Sequence, residues 1–181
     1  MIKITIVAVG KVREKFIKEA INEYSKRLSR FCTVEIIEVE DEQVPVNLSP
    51  AQEEQIKKKE GERILKKIGR GTVPRSAGPR SIHGSGQGSA HGSVVIALDM
   101  HGLSLDSEAF AERLNKYFLS GNSHLIFIIG GSIGLDDDVI KSADLKLSLS
   151  SMTFPHQLAR LILVEQIYRA FKIIRGETYH K

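Results

Sequence analysis

Apolar and polar residues follow two rhythms along this chain, one of period two and one near period 3.6, and the two take turns. Residues 2–9 are rich in Ile and Val and read as a strand. Phe16, Ile17, Ala20, Ile21, Tyr24 and Leu28 then recur at helical spacing, an apolar stripe on a charged helix. Residues 34–39 form a second strand. Next comes a clear helix start: Ser49 as N-cap, Pro50 at the first helical position and Gln52 closing a capping box. That helix turns Ile56, Ile64, Leu65 and Ile68 inward. After an interruption the rhythm resumes with a strand at 94–99 and a helix at 107–120 carrying Phe110, Leu114, Tyr117 and Phe118. The unbroken apolar run at 125–129 suits a strand covered on both faces. Asp136, Asp137 and Asp138 favour the first turn of a short helix through its dipole. A strand at 145–149 and a long helix at 155–175 complete the pattern. Strands alternating with helices predict an α/β fold, a mostly parallel sheet between helix layers.

The last helix is apolar nearly all round, with Leu158, Leu161, Ile162, Leu163, Val164, Ile167, Tyr168, Phe171, Ile173 and Ile174 on more than one face. Such a helix is buried on two sides. In a small chain the second side calls for another subunit, so a homodimer is expected.

The interruption spans residues 69–93, where Gly, Ser and Pro make up 14 of 25 positions. A stretch of that composition buries too little apolar surface to offset its ordering entropy. It reads as a surface insertion or an engineered segment, since Val73-Pro74-Arg75-Ser76 resembles a protease-site linker. The remainder is expected to form one domain over residues 1–181, interrupted only by this loop.

Composition narrows the class. The 181 residues, 41% hydrophobic and 27% charged, suit a single globular unit and give no apolar run long enough to span a bilayer. No signal peptide is evident at the start. Cys32 is the lone cysteine, which excludes a disulfide framework and points to a reducing, cytoplasmic setting. The net charge is +4, but Arg70, Arg75 and Arg80 supply three of those charges from the low-complexity stretch. The rest of the chain is nearly neutral, so charge alone permits a nucleic-acid partner without demanding one.

Several machineries are missing. No Walker A loop and no G-x-G-x-x-G follow the first strand, and the six histidines show no metal-binding pair, so no metal is expected. Gly130-Gly131-Ser132-Ile133-Gly134 matches G-x-S-x-G between a strand and a helix, the place of a nucleophile elbow. Asp144 and then His156 or His180 follow in the chain order of a hydrolase triad, which keeps a serine hydrolase using Ser132 in play. The alternative is that these glycines let the backbone approach a ligand closely. Residues 149–156 form a second strand-to-helix junction. Its small hydroxyls, with Met152 and Phe154, suit a planar ring, or else Thr153 or Ser151 simply caps the helix. Glu165 and Arg169 pair along the last helix, and Gly176 stops it. The following Tyr179, His180 and Lys181 read as a frayed tail or as a catalytic, RNA-contacting one.

Four segments together carry a resemblance: Ile4-Thr5-Ile6-Val7-Ala8-Val9-Gly10-Lys11, Phe127-Ile128-Ile129-Gly130-Gly131-Ser132, the run from Leu147 to His156, and Glu165-Gln166-Ile167-Tyr168-Arg169-Ala170-Phe171 with Tyr179-His180-Lys181. They closely resemble the RlmH family, the bacterial large-subunit ribosomal RNA pseudouridine N3-methyltransferases of the SPOUT superfamily. The resemblance implies an α/β fold with a C-terminal trefoil knot, a homodimer, and S-adenosylmethionine as cofactor. It places the cofactor contacts at Leu98, Gly130, Leu149, Ser150, Ser151, Met152, Thr153 and Phe154. It makes His180 the base or the residue positioning the uracil edge, with Tyr179 beside it, and Arg169, Arg175 and Lys181 the RNA phosphate contacts. His156 and Glu165 take supporting positions. Some members of the family carry a carboxylate just after the paired glycines; here Ile133 stands there, and any acid role at that place is lost. The low core charge suits a substrate presented by the assembled ribosome. Against this reading stand the serine hydrolase and a non-catalytic ribosome-binding module.

Overall fold

The computed structural model describes residues 1–69 and 93–178. Ten elements follow one another: β1 (Lys3–Val9), α1 (Lys15–Leu28), β2 (Thr33–Val39), α2 (Pro50–Lys67), β3 (Val94–Ser104), α3 (Ser107–Leu119), β4 (His124–Ile129), α4 (Asp137–Ser142), β5 (Leu145–Ser148) and α5 (His156–Ile174). The five strands form one sheet in the order β2-β1-β4-β3-β5, and all neighbours run parallel.

Period-two alternation decides what each face of the sheet packs against. Ile4, Ile6 and Ala8 of β1 point to the same side as Ile96, Leu125, Phe127 and Ile129, where α1, α3 and α5 supply Ile17, Phe110, Leu114, Leu163 and Phe171. Val7 and Val9 point to the other side with Val95, Ile126 and Ile128, against Ile64 and Leu65 of α2 and Val139 of α4. The result is a three-layer sandwich, as the alternation predicts.

The caps hold where the sequence spelled them out. Ser49 accepts from the Gln52 N–H, and the Gln52 side chain returns the bond to Ser49. α5 departs from expectation. Neither Ser151 nor Thr153 caps it; Pro155 holds the N-cap position with no side-chain hydrogen bond. The short-range signal was outweighed by the junction itself, because the serine hydroxyls there shape the preceding loop instead.

β3 also runs five residues beyond the expected end at Asp99. Leu98 and then, after a bulge, Leu103 both pair with Leu147 of β5. The chain doubles back so closely at Gly102 that an added Cβ would lie 2.7 Å from the Leu147 backbone nitrogen. Only glycine allows that crossing. β5 in turn stops at Ser148, one residue short of expectation, leaving Leu149 in the loop.

Candidate functional site

Open parallel sheets present ligand crevices outside the carboxyl ends of their strands. Here the ends of β3, β4 and β5 and the start of α5 enclose a cleft of about 440 Å³. One wall is the β4–α4 turn. Gly134 N–H donates to Gly131 O at 3.2 Å, folding the turn back over Gly130. An added Cβ on Gly130 would meet Gly134 O at 2.7 Å, so glycine is required there by close approach.

The opposite wall is the loop between β5 and α5. Ser148 Oγ donates to Ser150 O at 3.0 Å, and Met152 N–H donates to Ser150 Oγ at 3.0 Å. These bonds commit the hydroxyls to loop shape. They leave Leu149, Met152, Thr153 and Phe154 to line the space. Leu98, Ile129 and Leu147 form an apolar floor.

Of the expected cofactor residues, Leu98, Gly130, Leu149, Ser150, Met152, Thr153 and Phe154 all meet at this cleft. Ser151 does not line it and is exposed. Asp99, Met100 and His156 line it and were not anticipated in that role. The His156 ring stands at the cleft beside Gly10, where an added Cβ would meet Nε2 at 3.4 Å. Burial, and then the neighbouring Arg160 charge, hold its imidazole below the usual histidine value.

Arg160 anchors this end of α5. It is 1% exposed, donating to Glu38 Oε1 at 2.8 Å and to Gly10 O at 2.9 Å. Arg13 N–H reaches the Gln157 side chain at 2.8 Å. The β1–α1 loop is thus tied to the first turns of α5. Nothing in the local pattern announced Arg160, since an Arg amid apolar residues at helical spacing reads as a solvated position.

The hydrolase triad does not assemble. Ser132 lies at the carboxyl end of β4, whereas Asp144 sits at the opposite edge of the sheet. There its carboxylate accepts the Val95 N–H at 2.7 Å, and its own N–H donates to Val95 O at 2.8 Å. Asp144 is a strand-start clamp for β3.

The expected RNA contacts lie along and beyond α5. Arg169 pairs with Glu165 at 2.6 Å, and the Glu165 carboxylate also accepts from Gln166 at 2.7 Å. Arg175 stacks over the Phe31 ring, 4.9 Å from its centroid. Neither borders the cleft of its own chain. Tyr179, His180 and Lys181 lie outside the described residues. Among the described residues no cluster of three or more metal-ligating side chains occurs, and no helix is long and apolar enough to cross a membrane.

Comparison with known proteins places this arrangement. The family model described as Predicted SPOUT methyltransferase matches residues 2–180. Over 179 residues, covering 99% of both chains, this chain is 56% identical to ribosomal RNA large subunit methyltransferase H of Ruminiclostridium cellulolyticum. It is 51% identical to the protein of the same name in Acetivibrio thermocellus, again over 99% of each. A putative methyltransferase from Legionella pneumophila, solved with bound SAM, is 14% identical at a TM-score of 0.44, covering 94% of this chain and 66% of that one. The match over nearly the whole length, on a parallel sheet with glycine and serine turns at its carboxyl edge, means that this chain belongs to the SPOUT methyltransferase family and, within it, to the ribosomal RNA large subunit methyltransferase H group.

Proposed function

We propose that this chain is an S-adenosylmethionine-dependent methyltransferase acting on large-subunit ribosomal RNA, at N3 of a pseudouridine. The observation that carries the reading is the chemistry of the cleft. Among the described residues its lining includes no Lys or Arg, one carboxylate in Asp99, and apolar walls from Leu98, Ile129, Leu147, Leu149 and Phe154. A cationic ligand meets no like charge there, and a planar ring finds apolar surfaces flanked by backbone groups. A dinucleotide or nucleoside triphosphate would find no cation for its phosphates.

S-adenosylmethionine, when bound, supplies an electrophilic methyl group on a positively charged sulfonium. Leu98, Gly130, Leu149, Ser150, Met152, Thr153 and Phe154, which line the cleft, would hold it. Ser151 stands outside the cleft lining. His156, held neutral, adds no positive charge to the mouth of the cleft. His180 accepts the imide proton of pseudouridine N3 on a ring nitrogen, which frees the lone pair for attack. Tyr179 is assigned the supporting role next to it in sequence. Arg175 and Lys181 meet RNA phosphates, with Arg169 oriented behind them by Glu165.

Chain reach supports a two-subunit site. α5 is 19 residues long, about 28 Å at 1.5 Å per residue. Its start lines the cleft, and its end is turned back on itself where Glu177 N–H bonds Lys172 O at 2.9 Å. From Thr178 to His180 an extended chain covers only about 7 Å. His180 therefore serves the cleft of a second copy, and the homodimer and the trefoil knot belong to this reading. A cytoplasmic location goes with a ribosomal substrate.

Calorimetric titration with S-adenosylmethionine is the test. The expected result is binding at one site per chain, together with methyl transfer to isolated large ribosomal subunits. A folded protein that gives no heat with this donor overturns the reading.

A further inference from the structure

Behind the glycine wall of the cleft, on the α2 side of the sheet, lies a carboxyl group that the reaction as described does not use. Glu60 is 4% exposed. Its Oε1 accepts the Glu42 N–H at 3.0 Å. Its Oε2 is buried without a hydrogen-bond partner. The carboxyl lies flat against Gly131, where an added Cβ would meet Oε2 at 3.0 Å, Oε1 at 3.4 Å and Val9 Cγ1 at 3.2 Å. The other side of Gly131 faces the cleft.

We propose that Glu60 is a positioning residue for the methyl-donor site: acting through Gly131 and never touching the donor, its carboxyl sets where the glycine turn stands as the cleft wall. This rests on the methyl-donor reading above. Three features support it. Glu60 and Gly131 fill one another's space, so neither position changes without moving the turn. The turn is closed by the 3.2 Å bond from Gly134 to Gly131, so the glycine that meets Glu60 is also the one that closes it. Finally, a buried carboxyl oxygen with no partner is tolerated only as a neutral acid or with a donor opposite it.

The surroundings favour the neutral acid. Burial raises the Glu60 value, and Asp41 and Glu42 from the β2–α2 connection push the same way. The Glu42 N–H and Arg63, further along α2, oppose them. Asp136, at the start of α4, packs against the adjoining Gly61. A proton on Oε2 gives this side chain the donor and acceptor pattern of a glutamine.

The test is calorimetric titration of S-adenosylmethionine into the full chain and its variants. Glu60→Ala is expected to weaken binding at least tenfold, while Glu60→Gln stays within threefold of the parent. Gly131→Ala is expected to weaken binding in the parent yet cost little in the Glu60→Ala background, where its methyl enters the vacated space. Folded Glu60→Ala that binds within twofold of the parent overturns the proposal, as does an equal cost of Gly131→Ala in both backgrounds. Should Glu60→Ala fail to fold, Glu60→Asp decides: drawing the carboxyl back by one methylene is expected to weaken binding at least threefold, and a folded Glu60→Asp that binds within 1.5-fold of the parent overturns the proposal. Failure of the methyl-donor reading is seen separately, in a parent that does not bind at all.

Discussion

Among the described residues Arg160 is the largest side chain sealed from solvent, and its charge is met by one carboxylate and one carbonyl. Breaking such a pair from one side leaves an uncompensated buried charge, usually worth about 3–5 kcal/mol. Glu38 is 37% exposed, so water softens the loss. Glu38→Gln is expected to lower unfolding stability by about 2 kcal/mol in urea titration. His156, one helical turn before Arg160, gives a second expectation. Its folded value lies below the unfolded one, so the unfolded chain binds the proton more readily. The stability it lends is complete above the ordinary histidine value of about 6.5 and fades as pH falls below it. Imidazole NMR titration should place His156 under that value, and His156→Asn should flatten the acid side of the stability profile. Neither residue was legible in its role beforehand. A sequence shows residue type and spacing, whereas the burial of Arg160, Glu60 and His156 comes from partners far away in the chain, such as Gly10, Glu42 and Gly131.

At the scale of elements the pattern was far more readable. The apolar residues of β1, the unbroken apolar run of β4 and the stripes of α1, α2 and α3 predicted those elements to within a residue or two, because each is decided by its own local pattern of apolar residues. The two junctions lining the cleft were also recognised, through their small residues at strand ends. The far half of β3 was not. Met100, His101 and Gly102 break the alternation and fall in the bulge between Leu98 and Leu103, which both pair with Leu147 of β5 more than forty residues away. Gly102 is the tightest point of that pairing. Gly102→Ala forces a methyl into the Leu147 backbone and should destabilise the fold by about 1–3 kcal/mol, with the cleft-lining Leu98 and Asp99 displaced. Thermal unfolding with and without S-adenosylmethionine would check both effects, since the ligand-induced rise in Tm should shrink as well.

For the whole molecule the decisive length is that of α5, which separates the cleft from the segment carrying His180. If the two meet only between copies, two differently damaged chains should repair one another. Gly130→Leu, which blocks the cleft, and His180→Ala, which removes the proposed base, should each be nearly inactive. Co-expressed, they should form mixed dimers with one intact site and recover about half the parent's activity per mixed dimer. Recovery no better than the sum of the separate variants would argue for a site within one chain.

The same sheet that opens the cleft at one edge is fastened at the other. Asp144 locks the first residues of β3 two positions after Ser93, and α2, running against the strands, brings Gly69 to that same rear edge. A fluorescent protein or an immobilisation handle spliced between Gly69 and Ser93 would thus be attached at the end of the sheet opposite the cleft.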